Sequence, residues 1–246
     1  MAEILYITGG ILILPAILFA LFAQIKVQST FSRYGRIPSH RGLTGAQVAR
    51  QLLDQNGCSH VVIERSRGHL SDHYDPRKKV VRLSDEVYDS TSLAALGVAA
   101  HEVGHAVQDN TNYLPLRARQ IVIKSTSIIN KTLVPLIIIG MIASIFVTGL
   151  TWMGIDVFLF TFSLVIGLCI LYAISFVVNV ITLPTEFNAS SRAKEMLKSI
   201  LYDEEERHGA SKVLSAAAMT YVAALIVSLA YLMRFLGLAL SMAGRR

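Results

Sequence analysis

Four long windows of this chain contain no aspartate, glutamate, lysine or arginine. They are Ile4–Ile25, Thr132–Ile155, Val157–Thr185 and Val213–Met233. At about 1.5 Å per residue, a helix made from any of these windows is long enough to cross roughly 30 Å of hydrocarbon. The windows therefore predict transmembrane helices.

A buried helix in a soluble core is the alternative for any single window. The chain is 53% hydrophobic and only 16% charged, whereas about a quarter of the residues of a soluble domain are charged. Four such helices in 246 residues would leave too little polar chain to enclose a soluble core. We therefore predict about four transmembrane helices, the last interrupted near its end by Arg234.

Positive charges follow the first window and do not precede it. The chain opens with MAEILYITGG, which has no basic residue, and Lys26, Arg33, Arg36 and Arg41 lie beyond the window. A cleaved signal peptide has a basic start, whereas basic residues mark the cytoplasmic side of a membrane helix. The pattern predicts an uncleaved anchor with its N-terminus outside and the next segment in the cytoplasm.

The cysteines and the net charge indicate neither a disulfide-rich protein nor a nucleic-acid-binding protein. Cys58 and Cys169 are the only cysteines and lie in different environments, so no disulfide framework is indicated. The net charge is +6, but most basic residues lie between Lys26 and Lys131, beside membrane segments and without interleaved aromatic residues. We expect a lipid bilayer as partner and no nucleic acid.

The first polar region, residues 26–131, has the pattern of a small α+β domain. Residues 42–57 predict an amphipathic helix with a capping box formed by Thr44 and Gln47. A second helix is expected from about 90–92 to 109–110. Two β-branched runs predict strands, namely HVVIE (60–64) and KKVVRLS (78–84). The segment between them, GHLSDHYDP (68–76), is rich in turn formers. The KKVVRLS strand fits a core position and an edge that binds an extended peptide equally well.

The sequence His101-Glu102-Val103-Gly104-His105 lies in an apolar stretch, Leu93–Val107, that is too short and too polar to cross a bilayer. Residues four apart on a helix are offset by about 40°, so the two histidines can bind one metal ion. Glu102 lies about 100° further round, where it can act as the general base toward a zinc-activated water. The alternative is a core helix with satisfied histidines; the uncharged flanks of the motif favour the metal site.

A catalytic zinc takes three protein ligands, so a third must come from elsewhere in the chain. Asp109 is set aside because three consecutive turns of a straight helix do not converge on one ion. Glu186 is separated from His105 by two predicted spans, which puts both on one side of the membrane, and basic flanks mark that side as cytoplasmic. We expect Pro184 to end the membrane helix and Thr185 to cap a new helix carrying Glu186. The other candidates lie in the turn-rich segment: His69, Asp72, His73 and Asp75.

The chain carries four specific blocks: GLTGAQVARQLLDQNG, GHLSDHYDPRKKVVRLS, AAHEVGHAVQ and TEFNASSRA. In combination they resemble the YugP-like bacterial membrane zinc metallopeptidases, over most of the chain. That family is more distantly similar to the HtpX and CAAX prenyl endopeptidases, which also place a membrane hairpin between His-Glu-x-x-His and a downstream Glu-x-x-x-Asp. The resemblance implies Zn²⁺ as cofactor, His101, His105 and Glu186 as its ligands, and Glu102 as general base.

One position departs from the pattern of these relatives. Their aspartate four residues beyond the ligand glutamate orients a ligand histidine, whereas this chain has Ser190 there, which can hydrogen-bond but carries no charge. An oxyanion formed at the scissile carbonyl needs a further donor. The candidates, each also explained by a local turn, by packing or by topology, are His69, His73, Tyr74 and Arg192.

The expected fold is an α-helical membrane protein with about four transmembrane helices and a small α+β zincin-like domain on the cytoplasmic face. It is expected in the bacterial plasma (inner) membrane as a multi-pass protein. Its predicted parts are an N-terminal transmembrane anchor (1–25), a zincin-like catalytic region with the motif helix (26–131), a transmembrane hairpin (132–183), a third-ligand helix with connector (184–212) and a C-terminal transmembrane helix (213–246).

The expected function is that of a membrane-embedded, gluzincin-like zinc endopeptidase acting on a peptide or protein, including membrane proteins. The alternative is a non-catalytic membrane scaffold or chaperone-like protein with a structural zinc, which requires four protein ligands and would add His69 or His73. Glu102 favours the enzyme because a structural site does not require it. Hydrolysis of a non-peptide amide or ester is a third possibility. No feature of the sequence specifies an oligomeric state.

Overall fold

The structure is a computed structural model that describes residues 1–68, 71–122, 135–139, 142 and 156–244. Its principal helices are α1 (Ala2–Tyr34), α2 (Gly45–Gln55), α3 (Asp85–Tyr88), α4 (Leu93–Asn110), α5 (Val157–Leu197) and α6 (Glu204–Ala243). Its strands are β1 (Val62–Ser66), β2 (His73–Asp75) and β3 (Val80–Ser84). Shorter helical stretches lie at 114–122 and 135–139.

Within the described residues, three helices are long and apolar enough to cross a membrane, namely α1, α5 and α6. They contain three of the four charge-free windows, which confirms the prediction of apolar helices suited to a bilayer. The remaining window, Thr132–Ile155, falls mostly outside the described residues, so the predicted count of four stays a prediction. The chain is thus mostly helical, with a small sheet.

The chain divides into two compact units. The first contains Met1–Ala20, Arg119–Ile181 and Ala223–Arg246, and the second contains Leu21–Ala118 and Thr182–Val222. Three of the four boundaries fall inside α1, α5 and α6, so each of these long helices contributes to both units, and the fourth falls in the short helical stretch at 114–122. Residues 204–222 of α6, which include the start of the predicted last span, belong to the second unit.

In the first unit, polar and aromatic side chains join α6 to α1 and α5. Arg234 of α6 donates from its Nη1 to the backbone oxygen of Tyr6 at 3.0 Å and from its Nη2 to the Tyr6 hydroxyl at 2.6 Å. Tyr172 of α5 stacks on Tyr231 of α6 with ring centroids 4.7 Å apart. An arginine within an apolar helix is costly unless it is paired, and Tyr6 provides that pairing.

The second unit has its hydrophobic core around α4. Leu52 of α2, Leu83 of β3, Leu96 of α4 and Leu197 of α5 are buried in one cluster. Helix α2 begins with both hydrogen bonds of the predicted capping box, between Thr44 and Gln47. Helix α4 runs over the predicted residues and is capped by the Ser92 side chain, which accepts from the Ala95 N–H at 3.2 Å. These local predictions are confirmed.

The sheet has the order β1-β3-β2, with β1 parallel and β2 antiparallel to β3. The KKVVRLS segment is therefore the central strand, which confirms the core position; the alternative, an edge that binds an extended peptide, is wrong because both of its edges are paired. The segment read as turn-rich contains β2, whose Tyr74 pairs with Val81 of β3. The edge strands of the sheet are β1 and β2.

The prediction of a helix break at Pro184 is wrong. Helix α5 continues through Pro184 to Leu197, so Glu186 lies within a long helix and not in the first turn of a new one. A proline inside a helix loses one hydrogen bond and costs about 3 kcal/mol. The residues that follow it, Thr185, Glu186 and Ala189, are almost fully buried in the second unit, and this packing offsets the cost.

Candidate metal centre

Helix α4 presents the two histidines of the motif on one face. The rings of His101 and His105 have their centroids 4.8 Å apart and lie nearly perpendicular to each other, at 82°. Both side chains are largely buried, with exposed fractions of 15% and 9%. The spacing of four residues therefore produces the convergence expected from helix geometry.

Helix α5 brings Glu186 to the same point. Its Oε2 lies 3.2 Å from Nε2 of His101 and 3.6 Å from Nε2 of His105, and its side chain is only 2% exposed. The ligand atoms of the three residues all lie within 4.8 Å of one another. Two ligands on a tetrahedral zinc, each about 2.0–2.1 Å from the ion, are about 3.3 Å apart, so the two carboxylate–imidazole distances fit zinc.

A glycine inside the motif allows α4 and α5 to approach this closely. A Cβ atom placed on Gly104 would lie 2.6 Å from the backbone oxygen of Ala189. That contact is too short for any side chain, and the atom it meets belongs to the backbone. Gly104 thus sets the helix separation at which Glu186 reaches the histidines.

The other nitrogen of His105 is held by a hydrogen-bonded network. Nδ1 of His105 lies 2.9 Å from Oε1 of Gln108, which is fully buried. Gln108 donates from Nε2 to the backbone oxygen of Thr185 at 2.8 Å and to Oδ1 of Asn188 at 3.0 Å. Arg192 donates from Nε to the same Asn188 oxygen at 2.9 Å. The network therefore extends from α4 into α5.

Ser190 takes the place of the relatives' aspartate and makes the expected contact. Its hydroxyl lies 3.2 Å from Nδ1 of His101. Both histidines therefore have Nδ1 engaged by a neutral side chain and Nε2 directed toward Glu186. This is the arrangement in which second-layer groups orient metal-binding imidazoles.

Glu102 is buried beside the three converging side chains. The pKa of its carboxyl group is raised to about 7, mainly because burial disfavours the charged form; the carboxylates of Glu186 and Asp72 also raise this pKa, whereas His101 and the Tyr74 backbone N–H lower it. A carboxyl group with a pKa near neutrality is suited to accept and release a proton. The Tyr74 N–H comes from the edge strand β2.

The remaining candidate ligands lie in other interactions. His73 is exposed, with Nδ1 2.8 Å from the Ser71 oxygen. Asp72 accepts from the Ser84 N–H at 2.7 Å, and Asp75 pairs with Arg82 at 3.2 Å. His69 lies outside the described residues. Within the described part of the chain, the converging group contains His101, His105 and Glu186 alone.

The candidate oxyanion donors that lie within the described residues also make other contacts. The Tyr74 hydroxyl donates to Oδ2 of Asp109 at 2.7 Å, which ties β2 to the end of α4. Lys79 pairs with the same carboxylate at 2.5 Å. The carboxylate of Asp109 is thus bonded to Tyr74 and Lys79, which is consistent with its exclusion as a metal ligand.

Sequence reasoning missed the part played by Gln108, Asn188 and Gly104. Gln108 lies three residues beyond His105, on the same helix face, and Asn188 lies two residues beyond Glu186. A polar residue at that spacing in an otherwise apolar helix is a usable signal. The close approach at Gly104 carried no such signal, because it depends on which helix packs there.

Comparison with known proteins identifies the family of the chain. The family described as "Putative neutral zinc metallopeptidase" matches residues 10–240. The protein named "Putative membrane protease YugP" from Bacillus subtilis (strain 168) is 41% identical over 227 residues, covering 91% of this chain and 93% of that protein. No solved structure matches. The chain belongs to this zinc metallopeptidase family, whose metal is Zn²⁺.

Proposed function

We propose that this protein is a membrane-embedded zinc endopeptidase of the gluzincin type. His101, His105 and Glu186 hold the zinc ion, and Glu102 is the general base. The family and the membrane-protease relative support a peptidase, and the local geometry supports this assignment of residues. The substrate class is a peptide or protein segment.

The observation that carries the proposal is the convergence of three ligand atoms, with a buried carboxyl group beside them. The carboxylate oxygen lies 3.2 and 3.6 Å from the two Nε2 atoms, close to the separation of ligands on a tetrahedral ion, and the three ligand atoms lie within 4.8 Å of one another. Three protein ligands leave one position for water, as in catalytic zinc sites, whereas structural sites use four. Among the described residues no fourth His, Cys, Asp or Glu joins the group.

The residues of the site divide the chemistry between them. Zinc held by His101, His105 and Glu186 would be a Lewis acid, able to polarise the scissile carbonyl and to make water nucleophilic at neutral pH. Glu102 takes a proton from the attacking water and later delivers it to the nitrogen of the leaving amine, so that one water is consumed and one peptide bond is broken. The Tyr74 backbone N–H favours the charged form of this carboxyl group, which accepts the proton.

The test measures zinc content and peptide hydrolysis in the purified full-length protein. Glu102→Gln should keep about one zinc per chain and lose hydrolysis of a peptide library, while Glu186→Ala should lose most of the zinc. Glu195→Ala is the matched control, because Glu195 lies on the same helix with a side chain 72% exposed; it should retain both properties. If Glu186→Ala binds zinc as the control does, Glu186 is not a ligand.

The same experiment separates the alternatives. A structural zinc predicts four ligands and a wild-type protein that hydrolyses no peptide, with zinc retained after Glu102→Gln. An amide or ester hydrolase would hydrolyse such small substrates and leave the peptide library intact. Peptide cleavage that depends on Glu102 supports the endopeptidase.

We also propose that the site faces the cytoplasm of a bacterial cell, with the chain crossing the inner membrane several times. The basic residues after the first span, from Lys26 to Arg41, support this orientation. Arg77→Cys places a thiol in an exposed turn next to β2. In intact cells a membrane-impermeant thiol reagent should leave this cysteine unlabelled and should label it after lysis. Labelling in intact cells would reverse the orientation.

A further inference from the structure

We infer that Gln108 is a positioning residue that fixes the tautomer of His105 and the placement of Glu186 together. This inference rests on the proposed zinc site. It adds to that site a fully buried side chain that would act through His105 and the helix of Glu186.

The backbone oxygen of Thr185 determines which way the amide of Gln108 points. A carbonyl oxygen only accepts hydrogen bonds, so the Gln108 atom 2.8 Å away must be the amide nitrogen. The amide oxygen then faces Nδ1 of His105 at 2.9 Å. Because that oxygen only accepts, Nδ1 of His105 must carry the proton.

A proton on Nδ1 leaves Nε2 of a neutral imidazole with its lone pair free. Nε2 of His105 is the atom directed toward Glu186, and therefore toward the proposed ion. Ser190 does not impose the same choice on His101, because a hydroxyl can donate or accept. One backbone carbonyl on α5 thus selects the metal-binding form of a histidine on α4.

The same amide also ties the two ligand-bearing helices together. Gln108 lies on α4, and its two acceptors, Thr185 and Asn188, lie on either side of Glu186 on α5. The amide of Gln108 is fully buried, so no solvent is available to replace a lost bond. Arg192 holds the Asn188 oxygen from its other side. Loss of Gln108 would therefore disturb His105 and Glu186 at once.

The test measures the zinc dissociation constant by chelator competition in the full-length protein, together with the absorption spectrum of the cobalt-substituted form. Gln108→Met keeps the length of the side chain and removes every hydrogen bond; it should weaken zinc binding about 10- to 100-fold and change the cobalt spectrum. Asn188→Ala should weaken binding by a smaller factor. The double variant should be no weaker than Gln108→Met, because both act through one network.

Leu96→Val is the control for general destabilisation, since Leu96 is buried in the same helix away from the histidines. It should lower the apparent Tm and leave zinc affinity unchanged. Zinc affinity of Gln108→Met within twofold of wild type, or an equal loss in Leu96→Val, would overturn the inference. If Gln108→Met does not fold, an unchanged affinity in Asn188→Ala overturns it.

The proposed function and this inference fail in different ways. A wild type that binds no zinc overturns the proposed site and this inference with it. A wild type that binds zinc through His105, with Gln108→Met indistinguishable from it, overturns this inference alone.

Discussion

Gly104 of α4 packs directly against the backbone of Ala189 in α5. A Cβ at position 104 would stand 2.6 Å from the oxygen of Ala189 and 3.2 Å from its carbonyl carbon. Ala189 lies one turn beyond Glu186 on the same helix, so this contact sets the distance between the carboxylate and the two histidines. Gly104 has no side chain that could take part in the reaction, but it controls the geometry of the proposed metal site.

Gly104→Ala should therefore lose most of its bound zinc. The added methyl group meets backbone atoms, so α5 must move away and carry Glu186 out of reach. Gly97→Ala on the same helix is the matched control, because its Cβ would meet nothing closer than the Ala210 oxygen at 3.4 Å. Elemental analysis of both purified variants decides; equal zinc content would contradict the prediction.

Ser190→Ala should weaken zinc binding by less than tenfold. The hydroxyl contact to His101 is 3.2 Å long and neutral, so its loss leaves an imidazole free to rotate but no buried charge unpaired. Ser190→Asp should bind zinc more tightly than Ser190→Ala, because a carboxylate holds Nδ1–H more strongly. Chelator competition measures both, with Ser199→Ala, an exposed position near the end of α5, as control. A larger effect for Ser190→Ala than for Gln108→Met would contradict this ranking.

Tyr74→Phe should destabilise the protein and leave peptide hydrolysis nearly intact. The change removes the 2.7 Å hydrogen bond to Asp109, which costs about 1–3 kcal/mol for a charged acceptor. Hydrolysis should persist because the hydroxyl is hydrogen-bonded to Asp109, and the substitution leaves the Tyr74 backbone unchanged. Thermal unfolding and kcat/KM are compared with those of Tyr202→Phe, an exposed tyrosine. A large fall in kcat/KM would instead make the hydroxyl an oxyanion donor.

Glu102→Gln should stabilise the metal-free protein at pH 8 and not at pH 4.5. Burial raises the pKa of Glu102 from 4.5 to about 7, so between these values the unfolded chain releases a proton that the folded chain keeps. Stability is therefore lost as the pH rises through this range, by an amount on the order of 3 kcal/mol. The neutral glutamine avoids that cost.

Thermal unfolding after treatment with a chelator measures this difference at the two pH values. Glu64→Gln is the control, since Glu64 is exposed and paired with Arg82. A stabilisation of Glu102→Gln that is equal at both pH values would show that ionisation is not its cause.

Local features of the chain were predictable from sequence because they depend on backbone geometry over a few residues. The offset of His101 from His105, the capping box at Thr44 and the start of α4 at Ser92 follow from helix periodicity and from the unpaired N–H groups of a first turn. The apolar helices follow in the same way from windows without charge. None of these requires knowledge of a distant segment.

Tertiary structure decided the features that depend on which surfaces meet. Several side chains were chemically able to bind a metal ion, among them Glu186, His73 and the acidic residues near β2. Of the described candidates, only Glu186 lies beside the two histidines, and the close packing at Gly104 permits this. Helix α5 continued through Pro184 because burial of the next turn outweighs one lost hydrogen bond. The tautomer of His105 depends on a carbonyl oxygen 80 residues away at Thr185, reached through Gln108 across a helix interface that no local pattern specifies.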